Sequence, residues 1–199
     1  MDRVLILNSG IILISNIDSN QSIMVISNDG SMEFYSENGV LHRDCGPARV
    51  LSMGAVSYFE DGDRQRGGDK PQSLSVDGRK VYTKENESHR TDGPANISNS
   101  GEVYYEFEGR YSRFGGPSVF SADGSMEIYL NGKKHNFDGP AEISHLGSII
   151  YFIDDKMHNE YGPSTENVNG EEEYRIDGSL IRRDNFYKIK SRETKNTII

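Results

Sequence analysis

Four histidines, His42, His89, His135 and His158, occupy one slot of a recurring motif, and the slot after it holds Arg43, Arg66, Arg90, Arg113 and Arg182 in five copies. A histidine near an acid has the chemistry of a general base or a metal ligand. An arginine fork suits a carboxylate or a phosphate. Recurrence argues against catalysis, because a catalytic set needs one geometry and this set is copied along the chain. The histidines are expected to form a ladder on a turn edge, bonding loop carbonyls, so no catalytic residue, metal site or cofactor is assigned. The competing possibility is a hydrolase using one His/Asp pair. For the arginines, pairing with acids of adjacent turns such as Asp44 and Asp92 competes with anion or nucleotide binding at Arg43, Arg66, Arg90 and Arg113. Cys45 carries no repeated thiol chemistry, since its slot holds Asp92, Gly115, Asp138 or Tyr161 elsewhere.

The elements that carry these residues are repeats. The six prolines, Pro47, Pro71, Pro94, Pro117, Pro140 and Pro163, follow one another at steps of 24, 23, 23, 23 and 23 residues. A glycine stands seven residues after each of them, and Gly30 opens the series. A fixed period of this length marks stacked units, none of which buries its own apolar face. After each glycine the chain alternates as a strand does, with an aromatic fourth residue in six of seven copies: Phe34, Tyr58, Tyr82, Tyr105, Tyr151 and Tyr174, against Ile128. The second and sixth residues share that face and form the expected core stripe. Sharing of the aromatic ladder predicts that losing Tyr105, in mid-array, destabilises more than losing Tyr174 at its end. Turn dipeptides such as Asp61-Gly62 and Asn131-Gly132 close each strand into a hairpin, and Asn86 and Asp155 are expected to adopt positive φ in place of glycine. A short second strand follows Gly-Pro, as in Ala141-Glu142-Ile143. No stretch shows convincing helical periodicity.

The fold class is therefore all-β: an elongated antiparallel β-hairpin repeat solenoid, a twisted sheet of about seven 23-residue repeats with an N-terminal cap. Residues 1–26 read as degenerate capping strands (Val4–Leu7 and Ile11–Ile14), 27–184 as the repeats and 185–199 as a basic tail. The fifth strand residue points away from the core stripe yet carries Tyr35, Phe59, Tyr129 and Phe152, interrupted by Thr83, Glu106 and Arg175. An aromatic row on a wet face marks a partner groove or a face covered by coiling or dimerisation.

Tyr129-Leu-Asn-Gly-Lys-Lys-His135, and more weakly Glu37-Asn-Gly-Val-Leu-His42, resemble the tyrosine-x-asparagine-glycine-lysine-x-histidine core of MORN repeats, which share the 23-residue period. The likeness covers residues 27–184. It departs where MORN units read Gly-x-Gly after the histidine, since here the chain reads His89-Arg-Thr-Asp-Gly-Pro-Ala95 or a relative, similar to a divergent bacterial and viral variant. The resemblance implies scaffolding, partner docking and sometimes lipid contact.

The 199-residue chain has a net charge of −9, and the last twenty residues carry about +4 of their own. That balance argues against phosphate-driven DNA binding and against anionic membranes. One cysteine and no clear leader point to a reducing, cytoplasmic setting. The functional expectation is a non-enzymatic binding or scaffold module that docks a protein partner, with a possible homo-oligomer, along Tyr35, Phe59, Tyr129 and Phe152. An inhibitor of a host or toxin protein would suit a small acidic solenoid by analogy.

Overall fold

The computed structural model describes residues 3–6, 12–15, 23–66 and 70–196. The chain divides into two compact units, Met1–Gly109 and Arg110–Ile199, each built from short antiparallel strands. In the first unit Arg3–Ile6, Ile12–Ser15, Ile23–Ile26 and Met32–Tyr35 form a meander in chain order. The two-residue strands Arg49–Val50, Val56–Ser57, Ser73–Leu74, Lys80–Val81, Asn96–Ile97 and Val103–Tyr104 extend it, each pairing with the next. The second unit repeats the pattern through Val119–Phe120, Met126–Glu127, Glu142–Ile143, Ile149–Ile150, Thr165–Glu166 and Glu172–Ile176. The expected all-β hairpin-repeat architecture is thus the one adopted. Leu7 and Ile11, assigned to the capping strands, lie outside the described residues.

In the copies after Gly78, Gly101, Gly124 and Gly147 the strand is interrupted at its fourth residue and bends there, whereas Met32–Tyr35 and Glu172–Ile176 run on through it. In the copy after Gly124, Met126–Glu127 lies in the main ladder, the strand breaks at Ile128, and Tyr129–Leu130 pairs with Lys133–Lys134 in an outer hairpin. The residue after the proline packs against this point and is small in every copy except the one with Gln72. Ala48, Ala95 and Ala141 are wholly buried, as are Ser118 and Ser164. Their carbonyls take the amide of the fourth residue as the next rung of the ladder: Phe34, Tyr82 and Ile128 N–H donate to Ala48, Ala95 and Ala141 at 2.7 Å, and Tyr151 N–H to Ser164 at 2.8 Å. A buried amide left without a partner would destabilise by about 1–3 kcal/mol, so Gly-Pro followed by alanine or serine reflects packing. The bend also overturns the expected core stripe. Two-residue alternation holds only along a straight strand, and beyond the fourth residue Phe107 and Leu130 are exposed.

The outer hairpins end in pairs with both residues at positive φ: Asp61-Gly62, Glu85-Asn86, Glu108-Gly109, Asn131-Gly132, Asp154-Asp155 and Asp177-Gly178. This is the type I′ geometry that matches strand twist, and Asn86 (64°) and Asp155 (66°) adopt it as expected. Successive tips stack. Gly62 N–H donates to Leu41 O and Gly109 N–H to Ser88 O in the first unit, and Gly132, Asp155 and Gly178 donate to Tyr111, Lys134 and Met157 in the second, all at 2.8–3.0 Å. At the opposite turns, Ser31 and Ser125 Oγ accept the amides of Ser52 and His145 from the following copy at 3.0 Å.

The basic tail is not an irregular extension, as its lack of periodicity suggested. Arg183–Asn196 is an α-helix. It begins where other copies place Gly-Pro, with Asn185 and Phe186 N–H donating to Arg182 O at 2.9 and 3.0 Å. Phe186 falls four residues after the arginine slot, the place of the prolines, and is only 2% exposed. Its ring lies 5.1 Å from that of Tyr174, and Tyr187 lies 5.9 Å from the same ring. Such a helix is marginal alone and is held by these contacts, which a search for a continuous apolar face overlooks. Among the described residues no helix is long and apolar enough to cross a membrane.

Candidate functional site

The histidine ladder has a definite geometry. Each Nδ1 accepts the backbone N–H of the first turn residue of the next hairpin, nineteen positions on: Asp61 to His42 at 3.0 Å, Glu108 to His89 at 3.3 Å, Asp154 to His135 at 3.2 Å and Asp177 to His158 at 3.1 Å. The expectation of bonds to loop carbonyls is corrected, because the imidazole is an acceptor here. Residues at positive φ in a tight turn direct their amides outward, and the ring supplies the missing partner. Ser112 Oγ meets Asn131 N–H at 3.5 Å in one of the copies that lack the histidine. In a neutral ring whose Nδ1 accepts, the proton lies on Nε2; that nitrogen stands 2.9 Å from Asp44 in His42 and is buried without a hydrogen-bond partner in His135. Asp61, Asp154 and Asp177 carboxylates stand 3.1–3.2 Å from the same Nδ1 atoms. Among the described residues no three His, Cys, Asp or Glu side chains converge as a metal would require.

The arginine column clamps its own loop. Arg43, Arg66 and Arg90 stack 3.8, 3.8 and 3.9 Å from the ring centroids of Phe34, Tyr58 and Tyr82. Each donates from Nη1 to the carbonyl of the proline closing that loop, Pro47, Pro71 and Pro94, at 3.3–3.4 Å, and Arg113 does so to Pro117 at 3.2 Å. Where the slot holds Asn136 or Asn159, the amide Nδ2 makes the same bond to Pro140 (2.9 Å) or Pro163 (2.7 Å). A neutral amide thus replaces the guanidinium, which marks the proline carbonyl as the shared target. Two clefts of about 210 and 380 Å³ open beside Arg43 and Arg66 and beside Arg66 and Arg90. Asp44 and Glu60 balance Arg43 and Arg66 in the first, whereas in the second Asp92 stands with Arg66, Lys84 and Arg90.

The fifth-residue aromatics do not form a bare wet stripe. Phe59 is only 7% exposed, with Arg49 and Arg64 5.6 and 5.5 Å from its ring centroid. Tyr35, Tyr129 and Phe152 are half-buried. Tyr35 donates to Glu33 at 2.6 Å, and Glu33 also accepts from Arg49 at 2.7 Å across the ladder. Tyr129 donates to Glu127 at 2.6 Å, and Lys134 bridges Glu142 (2.5 Å) and Glu127 (3.4 Å) while lying over the Tyr129 and Phe152 rings. These bonds hold the phenols protonated. The Glu33 bond raises the Tyr35 hydroxyl above its ordinary value, and burial, reinforced by Glu127, raises that of Tyr129. Tyr35 and Tyr129 reach Glu33 and Glu127 because residues two apart on a strand share a face.

Bare aromatics occur elsewhere, on the loops between the arginine slot and Gly-Pro in the second unit. Phe114 is fully exposed, Phe137 is 76% exposed and Tyr161 is 92% exposed, on three successive loops. Two short strands per copy space these loops by about 10 Å. Phe137 is supported on one side by His135, edge-on at 4.2 Å between ring centroids. Exposed Asp138 and Glu160 flank the row. Comparison of this loop column between copies carried the signal: Thr91 and Asp44 occupy the place of Phe114 and Phe137. No family model matches the chain, and a search of curated proteins finds no match.

Proposed function

We propose that this chain is a non-catalytic, MORN-like repeat scaffold that docks a protein partner along Phe114, Phe137 and Tyr161. The carrying observation is the exposure of three aromatic side chains on successive loops whose backbones are already tied by Asn136, Asn159 and Arg113 to their prolines. Isolated exposed apolar residues are ordinary, but an ordered aromatic row on rigid supports is the composition of an interface core. Asp138 and Glu160 beside it favour a partner that offers apolar pockets rimmed by lysine or arginine. The fifth-residue set, Tyr35, Phe59, Tyr129 and Phe152, serves in this reading as the packed support of the sheet.

Affinity capture from the native cell tests the proposal with three baits: wild type, Phe137→Ser/Tyr161→Ser, and the control Leu146→Ser/Val168→Ser on exposed turns of the other edge. Hot-spot aromatics contribute about 2 kcal/mol or more each, so a partner held by wild type and control should be lost by the loop variant. Retention of the same proteins by all three baits would refute the assignment.

A further inference from the structure

We propose that the outer edge of Glu172–Glu173 is a strand-addition site for an extended segment of another protein with a small residue followed by a basic one. The inference is independent of the loop row. Within each unit an inner main-ladder strand has two neighbours. Met126–Glu127, for example, pairs with Val119–Phe120 on one side and Glu142–Ile143 on the other. Glu172–Glu173 pairs with Thr165–Glu166 on one side only, and among the described residues no later strand covers the other. The chain instead turns at Arg182 into the helix and carries Phe186 into the place of the proline. A cleft of about 530 Å³ remains, lined by Gly170, Glu172, Glu173, Tyr174, Leu180 and Arg183, among others. It lies beside the edge that a further Gly-Pro-Ala strand would cover.

The missing strand has a template in the first unit. Arg49–Val50 pairs with Met32–Glu33, Ala48 O takes the Phe34 amide, and Arg49 Nε meets Glu33 at 2.7 Å. Tyr174 and Glu173 correspond to Phe34 and Glu33 by their distance from the preceding glycine. An occupant in the same register therefore presents a small residue at Tyr174 and a basic one at Glu173. Glu173 meets Arg175 at 3.0 Å, yet Glu33 takes both a tyrosine hydroxyl and an arginine, so one contact does not exhaust the carboxylate. The exposed run Glu171-Glu172-Glu173 replaces a mixed apolar pattern and favours a positively charged strand. Added strands bind through main-chain bonds, with side chains selecting the sequence. Charged residues also protect bare edges, and the experiment separates the two roles.

The full chain, 15N-labelled, is titrated with the capped peptide Ala-Arg-Val-Leu-Ser, which copies residues 48–52 and leaves the place of the proline to Phe186, and with its Arg→Glu counterpart. Amide shifts should cluster at residues 170–174 and 180–183, and the arginine peptide should bind at least tenfold more tightly. Glu173→Lys should invert that preference, and N-methylation at the peptide valine, which removes a ladder donor, should abolish the shifts. Absence of shifts, or shifts indifferent to both changes, overturns the proposal and leaves the acidic run as edge protection. Shifts at 170–174 that follow protein concentration without peptide would assign the edge to a second copy and overturn the choice of occupant.

Discussion

The histidine ladder gives a sharp test of what joins one repeat to the next, because two contacts converge on the same atom of His135. Its Nδ1 accepts the Asp154 amide at 3.2 Å and stands 3.1 Å from the Asp154 carboxylate. If the amide bond is the staple, His135→Leu orphans a backbone donor in a ring environment that is only 6% exposed. The desolvation loss is about 1–3 kcal/mol. The edge-on contact with Phe137 adds about 0.5–1 kcal/mol, part of which leucine recovers by packing. The expected loss is about 2 kcal/mol in urea denaturation. Asp154→Asn keeps the amide, keeps a side chain that tolerates the 49° φ, and removes only an exposed charge, so it should change stability by less than about 0.5 kcal/mol. Amide exchange should report the same difference locally, with Asp154 and Asp155 losing protection in His135→Leu alone. Equal losses in the two variants, or a larger loss in Asp154→Asn, would show that the ion pair is the joint and would refute the acceptor role of the ladder.

Two other outcomes follow from packing and protonation. Tyr174 is 3% exposed beneath Phe186 and Tyr187, whereas Tyr105 is half-buried, so Tyr174→Ala should destabilise by about 3–4 kcal/mol and at least as much as Tyr105→Ala under urea, reversing the order expected from position in the array. Burial raises the Tyr129 and Tyr174 hydroxyls and the Glu33 bond raises Tyr35, so these three should ionise above the ordinary tyrosine range in a spectrophotometric titration. Because the folded state holds their protons longer than the unfolded chain, their stabilisation is intact below the ordinary tyrosine value near 10 and declines as pH rises beyond it. Tyr35→Phe/Tyr129→Phe, which lacks two of those protons, should show a shallower alkaline loss of urea stability.

The proline and glycine period made the architecture legible because those residues fix backbone geometry, and backbone geometry is what a stacked repeat copies. The side-chain assignments fared differently according to how far each depended on a straight strand. Alternation placed Phe34, Tyr82 and Tyr174 correctly in the core, since the fourth residue still keeps the ladder register. It misplaced Leu130 and Phe107 beyond the bend, and it took Phe59 for a surface residue although Arg49 and Arg64 cover it. The residue after the proline is alanine or serine in every copy but the one with Gln72, and such a column carries no mark of what packs against it. The ladder was also readable in principle: nineteen residues after each histidine stands Asp61, Glu108, Asp154 or Asp177, the first residue of a tight turn. The helix from Arg183 was hidden because its anchor is Phe186, one ring replacing one proline, rather than a continuous apolar face.

The same reasoning locates where copies are free to differ. The glycine before each strand holds a positive φ, the fourth residue fills the core, the histidine accepts the next turn, the arginine or asparagine ties the loop, and the residue after the proline accepts the fourth residue's amide. A residue type in any of those slots is explained by the fold, and therefore says little about a partner. The loop residues between the arginine slot and Gly-Pro stand outside these duties, and they vary from Thr91-Asp92 to Phe114-Gly115, Phe137-Asp138 and Glu160-Tyr161. An aromatic there is not required by packing, which its exposure makes plain. Three in succession therefore weigh more toward function than the fifth-residue aromatics, whose contacts with Arg49, Lys134 and the carboxylates of Glu33 and Glu127 already account for them.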